Sequence, residues 1–248
     1  MKQNIFDNQT FFDGYKKLRE NESNGNILLE KPCIFSLLPD LTNKSILDMG
    51  CGYGENCKEF VRLGASFVQG IDISNKMLEI AIHENSDEKI IYSNEGIEDI
   101  QHFENKFDVI ISSLAVHYVS DFNKLAHDVF NLLKNNGVFI FSQEHPLTTA
   151  PINGAEWVKD NDGNKVYYCL SDYSVTGERT VSWFVDNVTK YHRTFSDIIN
   201  TLTNNGFCID SLIEPIPSEE ITNKLPEYKS HYHKPNYLAI KALKKPII

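Results

Sequence analysis

Between residues 45 and 143, short apolar segments alternate with amphipathic ones, and this alternation limits the possible folds more than any other feature. The amphipathic segments have helical periodicity, and the one over 122–137 ends at an Asn-Gly pair, a common helix stop. The apolar segments are SILDMG (45–50), SFVQGIDI (66–73), KIIYS (89–93), KFDVIISSL (106–114) and GVFIFSQ (137–143). The pattern predicts a doubly wound α/β fold, with ligands at the carboxyl ends of mostly parallel strands.

Residues 146–193 interrupt this alternation with Pro, Gly, Asp and many aromatic residues. A segment of this length within a domain usually has a function, and its aromatic content argues against disorder. We therefore expect a partly β-structured flap over the site; an extra hairpin without a role is the alternative. Periodic segments resume at 194–207, a predicted helix, and at 208–215 and 236–243, two predicted strands. The whole chain, 1–248, is predicted to form one domain.

The strongest motif is ILDMGCGYGENC, residues 46–57, in which a strand leads into a glycine turn and then a helix. Glycine is suited to positions with positive φ or close to a ligand, which explains Gly50 and Gly52. The second strand ends in GIDIS, where Asp72 can accept hydrogen bonds from both ribose hydroxyls of an adenosine. This arrangement predicts an adenosine-containing ligand at the turn.

Two ligand classes contain adenosine, and two details separate them. A dinucleotide site has GxGxxG spacing, whereas this chain has GxGxG. Asp48 precedes the turn, and its charge would repel a pyrophosphate but attract a ligand with an ammonium and a sulfonium. These details favour methyl transfer over hydride transfer.

The runs LDMGCGYG, GIDIS, FDVIISSLAVHYV and LLKNNGVFIFS, in this order, resemble the class I S-adenosylmethionine-dependent methyltransferases. Further similarity to a bacterial small-molecule-type subgroup extends over nearly the whole chain. The resemblance implies a Rossmann-like methyltransferase fold with a seven-stranded sheet, the last strand antiparallel, and S-adenosylmethionine as cofactor. It also implies that residues 1–44 form an N-terminal helical cap and that residues 146–193, inserted after the fifth strand, contact the substrate.

The resemblance also assigns residues to parts of the cofactor. Asp48, Gly50 and Gly52 are expected at the methionine end, and Asp72 at the ribose. Further cofactor contacts are implied for Ile73, Met77, Ile97, Glu98, Ser112, Ser113, Tyr15 and Arg19. Arg19 is suited to pair with the cofactor carboxylate; surface and core packing are the alternatives for Arg19 and Tyr15.

Candidates for chemistry are weaker, because methyl transfer from an activated sulfur mainly needs alignment and exclusion of water. His117 and His145 follow the fourth and fifth strands, so either is a candidate proton acceptor. Packing against the cofactor is the alternative for His117. His192 and Arg193 are candidates for substrate binding or for a structural tie between the flap and the next helix.

Other candidate substrate contacts are Tyr118, Glu144, Trp157 and Trp183. The two tryptophans predict a largely apolar or aromatic acceptor pocket; a core of the flap itself is the alternative. Glu144 is suited to orient His145 or to bind a cationic acceptor. No metal site is expected, since His231 and His233 lack further ligands nearby and the five cysteines have no ligand spacing.

Composition restricts the partners. The net charge of -10 disfavours a nucleic-acid backbone, and no apolar run is long enough for a membrane helix. The five cysteines show no paired spacing, which is typical of reduced thiols in a cytoplasmic protein. The leading hypothesis is thus a cytoplasmic methyltransferase acting on a small molecule, at O or N. The alternatives are an RNA or protein methyltransferase, a dinucleotide-dependent oxidoreductase, or a degenerate cofactor-binding subunit; the oligomeric state is left open.

Overall fold

A computed structural model describes residues 3–104, 106–154 and 156–245. Its strands are β1 (Ser45–Met49), β2 (Phe67–Asp72), β3 (Ile90–Asn94), β4 (Phe107–Ser112), β5 (Leu133–Glu144), β6 (Glu156–Lys159), β7 (Lys165–Cys169), β8 (Gly177–Trp183), β9 (Val185–His192), β10 (Phe207–Ile213) and β11 (Tyr237–Lys244). Its α-helices are α1 (Gln9–Glu20), α2 (Lys31–Ser36), α3 (Glu55–Arg62), α4 (Asn75–Glu84), α5 (Phe122–Leu132), α6 (Pro146–Thr149), α7 (Phe195–Asn204) and α8 (Glu219–Lys224).

The predicted seven-stranded sheet is confirmed, with the order β10-β11-β5-β4-β1-β2-β3. The strands β1 to β5 pair in parallel, whereas β11, the last strand, runs antiparallel to both β5 and β10. The strand order reverses between β1 and β4, which start the two halves of the sheet. A cleft forms at the carboxyl ends of strands beside such a reversal, as expected for a doubly wound fold.

Each face of the sheet has its own apolar core because side chains of a strand alternate between faces. On one face, Leu47 and Met49 of β1 pack with residues of α5 and α7. On the other face, Ile46 packs with Phe60 of α3 and Leu78 of α4. Burial on both faces explains the continuous apolar runs in the sequence.

The helix predicted over 122–137 ends earlier in the structure, at Leu132. Leu133 adopts an extended conformation and pairs with Phe107 of β4, so β5 starts before the glycine. Asn136 then takes a positive φ of 64° within the irregular start of this strand. Pairing with β4 therefore overrides the local helical preference.

The flap, residues 146–193, contains the short helix α6 and two antiparallel hairpins, β6-β7 and β8-β9. Neither hairpin joins the main sheet. The second hairpin reaches the N-terminal segment, where Phe11 of α1 meets Trp183 and Phe184 edge-on, at ring-centroid distances of 5.1 and 5.5 Å. These two segments together cover the carboxyl ends of the strands.

Candidate active site

A cavity of about 250 Å³ lies above the carboxyl ends of β1, β2 and β4. The glycine turn forms its floor, and residues of α1 and Trp183 of the flap hairpin contribute to its walls. Among the predicted site residues, the following line it: Tyr15, Arg19, Gly50, Gly52, Asp72, Met77, Ser113, His117, Tyr118, Glu144 and Trp183. The structure thus brings most of the predicted residues to one cavity.

The turn after β1 is held against β2 by main-chain hydrogen bonds. The N–H groups of Gly50 and Cys51 both donate to the carbonyl oxygen of Ile71, at 2.8 and 2.9 Å. Gly50 and Gly52 have φ values of 75° and 55°, which glycine adopts without strain. A Cβ on Gly52 would have no atom within 4 Å, so this position faces open space. The backbone of the turn is therefore accessible to a ligand.

Asp72 connects the end of β2 to the glycine turn. One carboxylate oxygen accepts from the N–H of Gly52 and the other from the N–H of Ser74, both at 2.9 Å. Burial raises the pKa of Asp72, although these N–H groups act to lower it. The two bonds hold the carboxylate at the cavity wall, with remaining lone pairs for hydroxyl donors.

Asp48 lies under the turn and has almost no exposed surface. The Cys57 thiol donates to one of its oxygens at 3.3 Å, and the other oxygen has no hydrogen-bond partner in the described part of the chain. Burial raises the pKa of Asp48 to about 7, and the nearby Asp72 and Glu30 add to this effect. A cation at the turn would satisfy this carboxylate.

Glu30 is a cavity residue that the sequence reasoning missed. Its side chain is buried, and it accepts hydrogen bonds from Ser113 at 2.8 Å, from Asn26 at 2.6 Å and from Ser142. Burial raises the pKa of Glu30, while the two serine hydroxyls lower it. A signal existed in the sequence: Glu30 precedes Ile34 by four residues, on an apolar helical face where a carboxylate is unexpected.

Arg19 lies at the mouth of the cavity in a network with Glu30. Its guanidinium donates to Asn26, and also to Glu55 at 2.6 Å. Glu55 is substantially exposed, so exchange of this partner for a ligand carboxylate requires little desolvation. The position is compatible with the expected contact to an amino-acid carboxylate.

The remaining expected cofactor contacts divide into two groups. Met77 is buried and lines the cavity beside Asp72. Among the described residues, those lining the cavity do not include Ile73, Ile97, Glu98 or Ser112. The carbonyl of Ile73 accepts hydrogen bonds from Asn4 and Asn94, and Ile97 packs on the apolar core. Glu98 accepts a hydrogen bond from Ser120, and Ser112 donates one to the Met49 carbonyl. In this structure these four residues are thus engaged with other parts of the protein.

His117 and Tyr118 lie where β4 ends, on the side of the cavity toward β5. His117 is buried, and burial lowers its pKa to about 4, so the ring is neutral at physiological pH. Its Nδ1 accepts from the N–H of Glu144 at 3.4 Å, which assigns the proton to Nε2. With this tautomer His117 donates toward a ligand, and a role as proton acceptor requires the Glu144 bond to break.

His145 points away from the cavity. Its Nδ1 accepts from the N–H of Leu147 at 3.1 Å and thereby caps α6, and Nε2 lies 2.7 Å from Glu214. The ring is fully buried, and among the described residues it is not part of the cavity lining. This geometry argues for a structural role and against a base, because both ring nitrogens are already engaged.

Glu144 reaches the cavity from the end of β5, but it does not orient His145. Its carboxylate forms an ion pair with Lys190 of β9, at 2.5 Å. The Lys190 ammonium also lies 5.2 Å from the ring centroid of Trp183. Sequence reasoning identified Glu144 and Trp183 but not Lys190.

The other flap candidates have structural contacts. Trp157 packs on Tyr168 within its own hairpin, so the expectation of an aromatic acceptor pocket is not met at this residue. His192 hydrogen-bonds the Thr149 hydroxyl and the carbonyl of Tyr173, both at 2.8 Å. Arg193 donates to the carbonyls of Val119 and Ser120. His192 and Arg193 thus tie the flap to its surroundings, which is the structural alternative considered above.

Two searches of the described residues bear on other functions. No group of three or more His, Cys, Asp or Glu side chains has an arrangement suited to a metal ion. Within the same residues, no helix combines the length and the apolarity that crossing a membrane requires.

Comparison with known proteins relates the chain to methyltransferases. Residues 47–141 match the model of a methyltransferase domain. An uncharacterized protein of Haemophilus influenzae is 38% identical over 97% of this chain and 96% of its own length. Two crystal structures of proteins assigned to the S-adenosylmethionine-dependent methyltransferases are also similar. The one from Listeria monocytogenes is 39% identical, covers 88% of this chain and 97% of its own, and has a TM-score of 0.81. The one from Mesorhizobium loti is 34% identical, covers 86% and 97%, and has a TM-score of 0.80.

Proposed function

Because the chain belongs to the class I S-adenosylmethionine-dependent methyltransferases and uses S-adenosylmethionine as its cofactor, we propose that it methylates a small-molecule acceptor at an oxygen or a nitrogen. The observation that supports this most is the cavity lined by the glycine turn and Asp72, with the buried carboxylate of Asp48 beneath the turn. When bound, the cofactor supplies a methyl group on a positively charged sulfur.

The residues present fit this cofactor. The unpartnered oxygen of Asp48 and the buried carboxylate of Glu30 provide negative charge for a cationic ligand near the turn. Open space above Gly52 allows close approach to the backbone. Asp72 is oriented by two N–H donors to accept from ribose hydroxyls, and Met77 offers an apolar surface beside it. We assign Arg19 to the carboxylate of the amino-acid part.

The chain contributes alignment and exclusion of water rather than covalent chemistry. Trp183 of the flap and Tyr15 of α1 contact each other edge-on, at 6.1 Å between centroids, and close the cavity from above. His117 and Tyr118 lie at the end of the cavity toward β5, where an acceptor would meet the methyl group. We propose that Nε2–H of neutral His117 positions the acceptor.

Isothermal titration calorimetry tests the cofactor part of this proposal. We expect S-adenosylmethionine and S-adenosylhomocysteine to bind and NAD not to bind. Asp72→Asn should weaken both interactions, whereas the exposed Asp87→Asn, a matched change far from the cavity, should not. Binding of NAD, or equal affinities for the two variants, would contradict the proposal. A thermal-shift screen of small hydroxyl and amine compounds with S-adenosylhomocysteine present then tests the acceptor class.

A further inference from the structure

A second cavity, of about 590 Å³, lies between the flap and the end of β5. It shares Glu144 and Trp183 with the first cavity, so the two spaces adjoin at these side chains. The rest of its lining includes hydroxyl and amide side chains of the flap: Thr148, Thr149, Asn153, Thr180 and Ser182. An acceptor that reaches the methyl group past Glu144 would have its distal part in this polar space.

The hairpin β8-β9 places two cations opposite each other in this second cavity. Arg179 of β8 pairs in register with Lys190 of β9, and both residues are buried, with 4% and 8% of their surface exposed. Like charges directly opposite in a hairpin destabilise it, and burial adds to the cost. A hairpin selected only for stability would not have this pair on its inward face.

The available carboxylate balances only one of these cations. In the described part of the chain, Glu144 is the one acidic residue that lines the second cavity, and its ion pair is with Lys190. The hydrogen bonds of Arg179 go to the main-chain carbonyls of Ala150, Glu178 and Val175. Asp172 attracts the guanidinium electrostatically but is not part of the cavity lining.

A third buried cation lies behind the cavity wall. The ammonium of Lys234 donates to the Thr148 hydroxyl and to Asn236, both at 2.7 Å. Burial lowers the pKa of Lys234 to about 8, while Glu144 acts to raise it. This part of the protein therefore has more positive than negative charge, although the chain as a whole has a net charge of -10.

We propose that the second cavity binds a carboxylate group of the methyl acceptor, between Arg179 and Lys190. The inference rests on the proposed function for the identity of the ligand as an acceptor. Arginine recognises carboxylates through paired N–H donors, and its guanidinium here has donors beyond those used on the carbonyls. The bound carboxylate balances the excess positive charge, and the other end of the acceptor lies at the wall that the two cavities share, formed by Glu144 and Trp183.

The test compares benzoate with benzamide, which have the same shape but differ in charge, by calorimetry on protein saturated with S-adenosylhomocysteine. We expect benzoate to bind at least about tenfold more tightly, as for one charged hydrogen bond. Lys190→Gln and Arg179→Gln should each remove most of this preference. The matched Lys165→Gln, an exposed lysine of the other flap hairpin, should leave it unchanged.

Glu144→Gln separates ligand binding from a structural role. Removing this carboxylate removes its repulsion of the bound carboxylate, so benzoate should bind more tightly to Glu144→Gln. If the ion pair with Lys190 were merely structural, its loss would weaken benzoate binding in both Glu144→Gln and Lys190→Gln. Benzoate that binds no better than benzamide, or a shift in the same direction for these two variants, would overturn the inference. Titration of S-adenosylhomocysteine into the same variants before they are saturated, and of benzoate into protein without it, tells failure of this inference from failure of the proposed function.

Discussion

Replacing Asp48 by asparagine should stabilise the protein and weaken cofactor binding at the same time. Asp48 is buried, and its only hydrogen-bond partner in the described part of the chain is the Cys57 thiol. An asparagine keeps a carbonyl oxygen for that thiol but has no charge to desolvate. The cationic parts of the cofactor lose their attraction to this position, so we expect affinity to fall about tenfold or more.

The magnitude follows from the pKa of Asp48, about 7 in the folded protein against an ordinary value of 3.8. Since the folded state binds the proton more tightly, stability is lost as pH rises from the lower value to the higher one. At pH 8 the charged Asp48 lowers the free energy of unfolding by about 4 kcal/mol in full, and roughly 2–3 kcal/mol of this loss occurs between pH 5 and pH 8. Any cost of burying the asparagine amide is the same at both pH values and cancels in the comparison.

Urea denaturation of the wild type and the variant at pH 5 and pH 8 measures this difference. The advantage of Asp48→Asn should be roughly 2–3 kcal/mol larger at pH 8. Asp108→Asn is the control: Lys134 and Ser45 hold the pKa of Asp108 below its ordinary value despite partial burial, so this variant should be destabilised by the same amount at pH 5 and pH 8. An advantage that does not depend on pH, or cofactor affinity that is unchanged in Asp48→Asn, would refute the reasoning.

The remaining predictions concern the glycine turn, His117 and Asp72. Gly52→Ala should lower the free energy of unfolding by about 1–2 kcal/mol because of its positive φ. Gly54→Ala should cost more, because its new Cβ would also clash with the Tyr92 hydroxyl. Thermal denaturation measures both losses, and a larger loss for Gly52→Ala would contradict the prediction. Because the folded state keeps His117 neutral down to a pKa of about 4, the free energy of unfolding should fall by about 3 kcal/mol as pH falls from 6.5 to 4. His117→Gln should flatten acid denaturation over that range, and an unchanged curve would count against it. Asp72→Asn should lower S-adenosylhomocysteine affinity about tenfold or more in calorimetry, and an unaltered affinity would exclude the ribose contact.

The glycine turn was predictable from sequence because it depends on local chemistry. Gly50 and Gly52 need positive φ, Asp48 lies two residues before Gly50, and Asp72 ends the next strand. Parallel strands that alternate with helices bring these positions together at one edge of a sheet, whatever the rest of the chain does. The sheet and one wall of the cavity follow from this argument.

The flap was predicted as a segment, but the direction of its side chains was not. The sequence gives no reason to distinguish Trp157 from Trp183, since both are tryptophans of the flap. In the structure Trp157 packs within its own hairpin, whereas Trp183 closes the cavity. His145 follows a strand as His117 does, but it caps α6 and contacts Glu214, a residue 69 positions away. Pairing register and long-range contacts decide such orientations, and they have no local signature.

By itself, the sequence determined the α/β class, the glycine turn and the acidic residues beside it, because periodicity and backbone conformation are local properties. Only the tertiary structure placed Glu30 against Ser113, and Arg179 opposite Lys190 beside a single carboxylate. The physical reason is that the electrostatic effect of a charged side chain depends on its burial and its neighbours, and both are set when distant segments pack together.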